Sequence, residues 1–328
     1  MKAIVQDRYG SPDVLALRDV EPPSAGSGEL FVRVHAAAVN AYDWHIMRGD
    51  PYLARLTGIG FTAPRAKIRG RDFAGTVQAV GRDVRRFRPG DEVFGDLGPA
   101  DGAFAQYVRV AEDLVEPKPA CLSFEQAAAL PLAGLTAWKG LCDSGGLRPG
   151  HHVLVNGASG GVGTFAVQIA KSVGATVTAV CRTRNAELVT SLGADHVIDY
   201  TGSDFTTGST RYDLVLDLVG NHPLAALRRV VRPGGTVVLS GGGVFEGGSL
   251  VGPLRLLLKA KLRSAFVRDR LHVLTTAPDR TVLAELRRLA ESGAVTPVVD
   301  RTFSLAQAPD AIRYVETGHA RGKVVITV

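Results

Sequence analysis

The amino-acid sequence predicts an α/β protein with two units, a β-rich N-terminal block followed by a doubly wound parallel sheet. The length of 328 residues suits about two domains. Apolar residues make up 45% of the chain and charged residues 21%, which is typical of a chain that buries a hydrophobic core. Near residue 123, short alternating runs give way to apolar strands that alternate with helices, and this change places the boundary between the units.

The β-rich block covers residues 1–123, where turns rich in Pro and Gly separate the apolar runs. The strands predicted from alternation are Lys2–Gln6, Glu29–Val39, Gly75–Val80, Glu92–Gly95 and Phe104–Val110. A helix is then predicted to begin at Ser123, whose hydroxyl would cap it, and to run to Leu141 with a break at Pro131.

Strands and helices alternate from residue 152 onward. The predicted strands are His152–Asn156, Thr176–Cys181, His196–Asp199, Leu214–Leu218 and Thr236–Ser240, and the predicted helices are Thr164–Val173, Asn185–Leu192 and Pro223–Val231. Strands that are apolar on both faces indicate a parallel sheet covered by helices on both sides. From about residue 277 the pattern predicts a helix (Thr281–Ser292), two short strands, a helix (Leu305–Thr317) and a final strand (Lys323–Val328), and leaves open which unit they complete.

The net charge of +6 permits anionic partners and does not require nucleic acid. One basic cluster suits either a solvated helix face or a patch that binds an anion, a lipid or a partner; its residues are Lys259, Lys261, Arg263, Arg268 and Arg270. The surrounding segment, residues 247–274, suits a dimer edge or a lid over the substrate.

The cysteines Cys121, Cys142 and Cys181 lack the spacing of a zinc ribbon or a disulfide framework, so we expect a reduced, cytoplasmic protein. No apolar run reaches 18 residues and the first predicted strand starts at Lys2. We therefore expect no membrane partner.

The most informative segment is a glycine loop between a predicted strand and a predicted helix, with the sequence Asn156-Gly157-Ala158-Ser159-Gly160-Gly161-Val162-Gly163. Glycines let the backbone approach a pyrophosphate, whose charge is stabilised by free N–H groups at a helix N-terminus. Strand, loop, helix and next strand follow in the order of a dinucleotide site. We expect Ser159, Gly160, Gly161 and Val162 to bind the cofactor.

The second strand of this unit ends at Cys181 and is followed by Arg182-Thr183-Arg184. An NAD site would place Asp or Glu there to hold the ribose 2′-hydroxyl. Guanidinium groups and a hydroxyl instead suit a 2′-phosphate, which a carboxylate would repel. The sequence therefore predicts NADP (NADPH) as the cofactor.

The glycine-loop segment, residues 150–171, resembles the signature of the zinc-independent quinone oxidoreductase (zeta-crystallin-like) group of the medium-chain dehydrogenase/reductase superfamily. Further similar motifs are Asn40-Ala41-Tyr42-Asp43, Gly70-Arg71-Asp72-Phe73-Ala74-Gly75, Arg88–Val93, Ala133–Trp138 and Gly318–Val325. The resemblance implies a GroES-like β-barrel catalytic domain (residues 1–123 and 277–328) and a Rossmann NADP-binding domain (124–276). It also implies an active site in the cleft between them and a homodimer.

Zinc dehydrogenases of the same superfamily bind a catalytic metal, and their ligand positions fall on Asn40, Arg71 and near Pro131. Asn is a poor zinc ligand, and Arg and Pro cannot serve. The structural-zinc loop would lie near residues 95–104, which contain no cysteine. We therefore expect no metal.

The resemblance also implies site residues. Asn40, Tyr42 and Tyr52 are the candidates for catalysis, Asn40 beside the nicotinamide and either Tyr as a proton donor. The further cofactor contacts are Thr136, Tyr200, Gly241, Gly242, Gly243 and Lys323. Each has a structural alternative: a turn-forming Asn, aromatic packing for the tyrosines, a hydroxyl of Thr136 bonded back to its own helix, and a solvated charge for Lys323.

Without a Lewis acid, hydride transfer to an electron-poor carbon remains feasible, since quinones and α,β-unsaturated carbonyls delocalise the incoming charge onto oxygen. We therefore expect an NADPH-dependent reductase of quinones or enones. The alternatives left open are a 2-enoyl-thioester reductase and a non-catalytic NADPH-binding or regulatory protein, including one with a nucleic-acid role through the basic cluster.

Overall fold

A computed structural model describes residues 1–57, 59–240 and 270–328. Most of the segment for which a dimer edge or a lid was predicted, residues 247–269 of 247–274, therefore lies outside the described residues. The basic residues Lys259, Lys261, Arg263 and Arg268 lie in that part. The described strands form two large sheets and a separate antiparallel pair. Within these ranges, no helix has the length and apolar character that a membrane crossing requires.

The N-terminal block forms a mostly antiparallel sheet. In chain order its elements, with the separate pair β1–β2, are β1 (Lys2–Gln6), β2 (Leu15–Asp19), β3 (Glu29–Val39), helix α1 (Ala41–Arg48), β4 (Asp72–Val80), β5 (Glu92–Asp96), β6 (Tyr107–Ala111) and β7 (Val115–Pro117). Strand β3 is central: it pairs with β4 and, further toward its start, with β6. Its burial alternates at first and becomes continuous from Ala36 to Val39, so its end is enclosed on both faces.

The second unit is a parallel sheet with the order β10-β9-β8-β11-β12-β13. Its elements, with the two helices that precede it, are α2 (Phe124–Ala129), α3 (Pro131–Trp138), β8 (His152–Asn156), α4 (Gly161–Ser172), β9 (Thr176–Cys181), α5 (Ala186–Ser191), β10 (His196–Asp199), β11 (Tyr212–Asp217), α6 (Leu224–Arg229), β12 (Val231–Leu239) and β13 (Arg270–Val273). Numbered from β8, this order is the 3-2-1-4-5-6 of a doubly wound dinucleotide-binding fold. The strand order reverses at β8, between β9 and β11, which places a crevice at the carboxyl ends of β8 and β11.

The last segment returns to the first sheet. It comprises α7 (Arg280–Glu291), β14 (Val299–Ser304), α8 (Ala308–Glu316) and β15 (Lys323–Thr327). Strand β15 lies antiparallel to β3 and parallel to β14. The sequence left this attachment open, and the residue bounds of the two domains stay a prediction.

One hydrophobic cluster connects the two sheets. Ala36 and Phe94 of the first sheet belong to the same buried cluster as Val153 and Phe165 of the second unit. The amide of Gln168 on α4 also clamps the backbone of Thr296: Nε2 donates to its carbonyl at 3.1 Å, and Oε1 accepts from its N–H at 2.8 Å. These contacts fix α4, at its eighth residue, against the segment that leads into β14.

Several element predictions are confirmed and some are wrong. The Ser123 cap and the break at Pro131 are present, and α4 begins three residues before the predicted Thr164. Strand β6 starts three residues later than predicted, and α7 is followed by one described strand, β14, instead of two. A short run needs pairing partners to become a strand, and alternation alone does not supply them.

Candidate active site

The glycine loop joins β8 to α4. Gly157 has φ +87°, a left-handed conformation that favours glycine, and Gly160 is the N-cap of α4. The first N–H groups of α4, including those of Gly161 and Val162, have no acceptor within the helix. A Cβ on Gly161 would come within 3.1 Å of Lys323 Cδ, so the missing side chain leaves room for the Lys323 stem to pass this helix end. The arrangement fits an anionic group such as a pyrophosphate.

The glycine loop is hydrogen-bonded to the start of β15. Gly322 N–H donates to the carbonyl of Ser159 at 3.0 Å, and Gly160 and Gly322 form an isolated parallel bridge. The residue after Gly322 is Lys323, whose stem passes Gly161. The structure thereby brings the predicted cofactor residues of the loop together with Lys323, although 160 positions separate them in the chain.

Lys323 and Asn40 are in direct contact. Lys323 Nζ donates to Asn40 Oδ1 at 2.5 Å, and Asn40 Nδ2 donates to Asp72 Oδ2 at 2.9 Å. Lys323 Nζ lies 3.7 Å from the same Asp72 oxygen. Lys323 is 3% exposed, so it is no solvated charge. Burial lowers the pKa of Lys323, and the attraction of Asp72 opposes that shift.

Asp43 adds a second carboxyl to this cluster. Its Oδ2 accepts the Asn40 N–H at 2.7 Å, which fixes the first turn of α1. Its Oδ1 has no hydrogen-bond partner among the described residues and is fully buried. Burial, with a further contribution from Asp101, raises the pKa of Asp43 to about 7. Asp43 therefore has a structural role at the start of α1.

Arg71 occupies the place where a zinc dehydrogenase would keep a His ligand, and it is committed to an ion pair. Its Nε and Nη2 donate to Asp96 at 2.8 and 2.6 Å, and both side chains are buried. Its Cζ lies 4.7 Å from the centre of the Tyr42 ring. Burial raises the pKa of Tyr42 to about 12, so the phenol keeps its proton at neutral pH.

Tyr52 and Thr136 form no hydrogen bond with Lys323, Asn40 or Asp72 among the described residues. Tyr52 is 44% exposed on the turn Tyr52–Thr57, with Arg55 Cζ 4.7 Å from its ring centre. Thr136 Oγ1 donates to the carbonyl of Leu132 at 2.6 Å within α3. This hydrogen bond is the structural alternative given above for Thr136. The hydroxyl oxygen still has a lone pair that could accept from a ligand.

The residues predicted to bind the 2′-phosphate gather at the ends of β9 and β10. Arg182 Nε donates to the Tyr200 hydroxyl at 2.6 Å, and Arg184 is exposed. Thr183 donates its hydroxyl proton to the carboxylate of Asp199. Hydrogen bonding by Thr183 lowers the pKa of Asp199, so a negative charge lies beside the cluster.

Sequence reasoning missed two residues of the site. Asp72 lies between Asn40 and Lys323, and its signal was a carboxylate at the start of the otherwise apolar run Asp72-Phe73-Ala74. Asn185 donates to Ser159 Oγ at 2.8 Å and so supports the glycine loop. Gly241, Gly242 and Gly243 lie outside the described residues. In the described part of the chain, no group of three His, Cys, Asp or Glu side chains is arranged to hold a metal ion.

Two family models match the chain. The model described as alcohol dehydrogenase GroES-like domain matches residues 26–120, and the model described as zinc-binding dehydrogenase matches residues 192–326. The first covers strands β3 to β7 of the first sheet, and the second begins directly after α5 and ends within β15. Both matched models describe dehydrogenases, and residues 121–191, which include the glycine loop, lie between the two matches.

Relatives that match nearly the whole chain define the group of dehydrogenases more closely. The bovine mitochondrial NAD(P)H oxidoreductase RTN4IP1 is 35% identical over 100% of this chain and 89% of its own. The chloroplastic NADPH-dependent alkenal/one oxidoreductase of Arabidopsis thaliana is 36% identical over 99% and 79%. The solved quinone oxidoreductase of Coxiella burnetii is 32% identical, with a TM-score of 0.86 over 100% and 99%. The chain therefore belongs to the medium-chain dehydrogenase/reductase superfamily, in its quinone oxidoreductase-like group. The predicted fold class and the prediction of an oxidoreductase are confirmed.

Proposed function

We propose that this protein transfers hydride from NADPH to quinones or α,β-unsaturated carbonyls without a metal. The observation that carries the proposal is the contact of Lys323 with Asn40 beside the glycine loop. Asn40 falls where a zinc dehydrogenase keeps a metal ligand, and in this chain its amide oxygen accepts from an ammonium. The relatives include an NADPH-dependent alkenal/one oxidoreductase and a quinone oxidoreductase, and their names support the same substrates.

The cofactor is held by groups from both sheets. The N–H groups at the start of α4 and the ammonium of Lys323 suit the pyrophosphate, since both are positive and the Lys323 stem passes that end of the helix. Arg182 and Arg184 suit the 2′-phosphate, while Asp199 disfavours it. We assign net preference to NADPH because two guanidinium groups outweigh one carboxylate at this exposed site.

NADPH, when bound, supplies the hydride from nicotinamide C4. The acceptor gains two electrons, and its charge moves to oxygen as an enolate or a hydroquinone anion, which then takes a proton. Asn40 offers a buried amide to orient the ring, and the surrounding core excludes water. The chain itself positions the cofactor and the acceptor and keeps water away from them.

Tyr42 is the better candidate for the proton donor. It is half-buried, its hydroxyl donates to no described residue, and its raised pKa keeps it protonated. Tyr52 is exposed and held by Arg55 stacking. Water donates the proton to reduced quinones, because their anions are weak bases, and Tyr42 donates the proton to the enolates formed from enones.

The test is NADPH oxidation against a quinone, an enone and an enoyl thioester under one set of conditions. The proposal expects turnover with the quinone or the enone, and slower turnover with NADH. Turnover restricted to the thioester would favour the 2-enoyl-thioester reductase, and no turnover with tight NADPH binding would favour a non-catalytic role.

Three further proposals accompany this function. Residues 1–123 and 277–328 form the catalytic domain and 124–276 the nucleotide domain, which separate expression of the nucleotide domain would test by its ability to bind NADPH. The enzyme is a homodimer, which light scattering during gel filtration would test. It is cytoplasmic, which the cysteines Cys121, Cys142 and Cys181, all free thiols, support; cell fractionation would test this.

A further inference from the structure

Asp72 is a buried carboxylate shared by three segments of the fold. It is the first residue of β4 and has no exposed surface. Its Oδ1 accepts the Leu132 N–H at the start of α3 at 3.1 Å. Its Oδ2 accepts from Asn40 Nδ2 at 2.9 Å and lies 3.7 Å from Lys323 Nζ. Asp72 thus joins the end of β3, the start of α3 and the start of β15.

Lys323 carries this connection to the glycine loop. Its own backbone is fixed there, because the preceding Gly322 donates to Ser159 and pairs with Gly160. Its stem lies against Gly161. A change in the charge or the direction of the Lys323 side chain therefore acts at the N-terminus of α4.

A buried ammonium needs a counter-charge. Among the described residues, Asp72 is the carboxylate within ion-pair distance of Lys323. The other charged groups that face Lys323 are Asp43 from α1 and Asp96 from β5, while Arg71 acts on Asp72. Asp96 is already paired with Arg71, and Asp43 is bonded to the backbone of Asn40. Asp72 is therefore the group that stabilises the charged form of Lys323.

We propose that Asp72 is a positioning residue for the cofactor site, which holds the Lys323 ammonium beside the N-terminus of α4. It touches neither NADPH nor substrate and acts through Lys323. The inference rests on the proposed function only in that NADPH binds at the glycine loop. Its consequence is that NADPH affinity depends on Asp72 through the protonation of Lys323.

The test variant is Asp72→Asn, which keeps the shape and an oxygen for the Leu132 N–H and removes the charge. Without the charge of Asp72, burial is opposed only by the weaker attraction of Asp43 and Asp96, so the pKa of Lys323 falls further and its ammonium loses a proton at lower pH. Burial raises the pKa of Asp72 to about 7. NADPH dissociation constants are therefore measured by fluorescence titration between pH 8 and 10, a range that stays above this pKa and above the titration of the 2′-phosphate, roughly pH 6. The parent should stay within about twofold across this range, whereas Asp72→Asn should weaken by up to about tenfold per pH unit.

Lys323→Met removes the charge that Asp72 acts on. It should weaken NADPH binding without a pH slope, and adding Asp72→Asn to it should have no further effect. The matched control is Asp101→Asn, which neutralises another buried carboxylate, paired with Arg69 at 3.1 Å. That control should keep the flat profile of the parent.

A flat, parent-like profile in folded Asp72→Asn would overturn the inference. So would a full effect of Asp72→Asn in the Lys323→Met background, because Asp72 would then act by another route. If Asp72→Asn does not fold, Lys323→Met decides alone: unchanged NADPH affinity contradicts the inference. A parent protein that binds no NADPH would instead contradict the proposed function.

Discussion

Replacing Gly163 with Ala should close the dinucleotide site by a backbone collision. A Cβ at Gly163 would lie 2.1 Å from the Gly157 carbonyl oxygen and 2.6 Å from the Ala158 carbonyl carbon. Ordinary contact begins at 3.4 Å, so the loop and the helix must separate by about 1.3 Å. Both colliding atoms are backbone, and no rotamer change relieves them. A displacement of about 1 Å in a positioned site costs on the order of 10²-fold.

Fluorescence titration with NADPH should therefore show Gly163→Ala binding about 10- to 100-fold more weakly, or about 1.4–2.8 kcal/mol. The thermal midpoint should fall too, because overpacking costs about 1–3 kcal/mol. Gly28→Ala is the control, since a Cβ there meets nothing within 4 Å. Gly163→Ala with parental NADPH affinity and parental Tm would refute the close packing of loop against helix and, with it, the placement of the pyrophosphate.

Other expected outcomes concern the phosphate cluster, the tyrosines and pH. Changing Arg182 and Arg184 together to Ala should weaken NADPH binding by about 2–4 kcal/mol and leave NADH binding nearly unchanged. Titration with both cofactors measures this, and equal losses for the two would show that these arginines do not bind the 2′-phosphate. Tyr42→Phe should lower the rate on an enone by at least ~10²-fold, with NADPH affinity unchanged. On a quinone Tyr42→Phe should stay within about tenfold of the parent, as should Tyr52→Phe on either substrate. A loss on the quinone alone would contradict the assignment of Tyr42 as the proton donor. Burial raises the pKa of Asp43 from 3.8 to about 7, so the folded chain binds this proton more tightly than the unfolded chain. The resulting stability is complete below about pH 4 and is lost as the pH rises through about 7. Asp43→Asn should therefore flatten the fall in Tm between about pH 4 and 7, and an unchanged slope would contradict the shift.

The parallel sheet could be predicted closely because its strands are buried on both faces. Strand β8 and strand β9 have the predicted bounds, since continuous apolar runs between helices leave little choice of register. Strand β2 was missed, because beyond Leu15 it is half-buried or exposed and carries two charges. Strand β7 is three residues long and ends in Pro117, so no periodicity reveals it.

The candidate site was predictable where the motif is local. Ser159–Val162 lie together as the loop required, and Arg182 meets Tyr200 because neighbouring parallel strands end at one edge. The contact of Asp72 with Lys323 spans 251 positions, and only the pairing of β15 with β3 and of β3 with β4 brings the two residues together. No local pattern predicts such a pair.

Metal-free hydride transfer is tested most directly by isotope transfer with protein of known metal content. Chelator-treated protein, shown by elemental analysis to hold less than about 0.1 zinc per chain, is given an enone and NADPH deuterated at the transferable C4 position. The ligand positions occupied by Asn40 and Arg71 lead us to expect undiminished turnover, with deuterium on the β-carbon of the product by NMR. Activity that rises and falls with bound zinc, or a product without deuterium at that carbon, would contradict the mechanism.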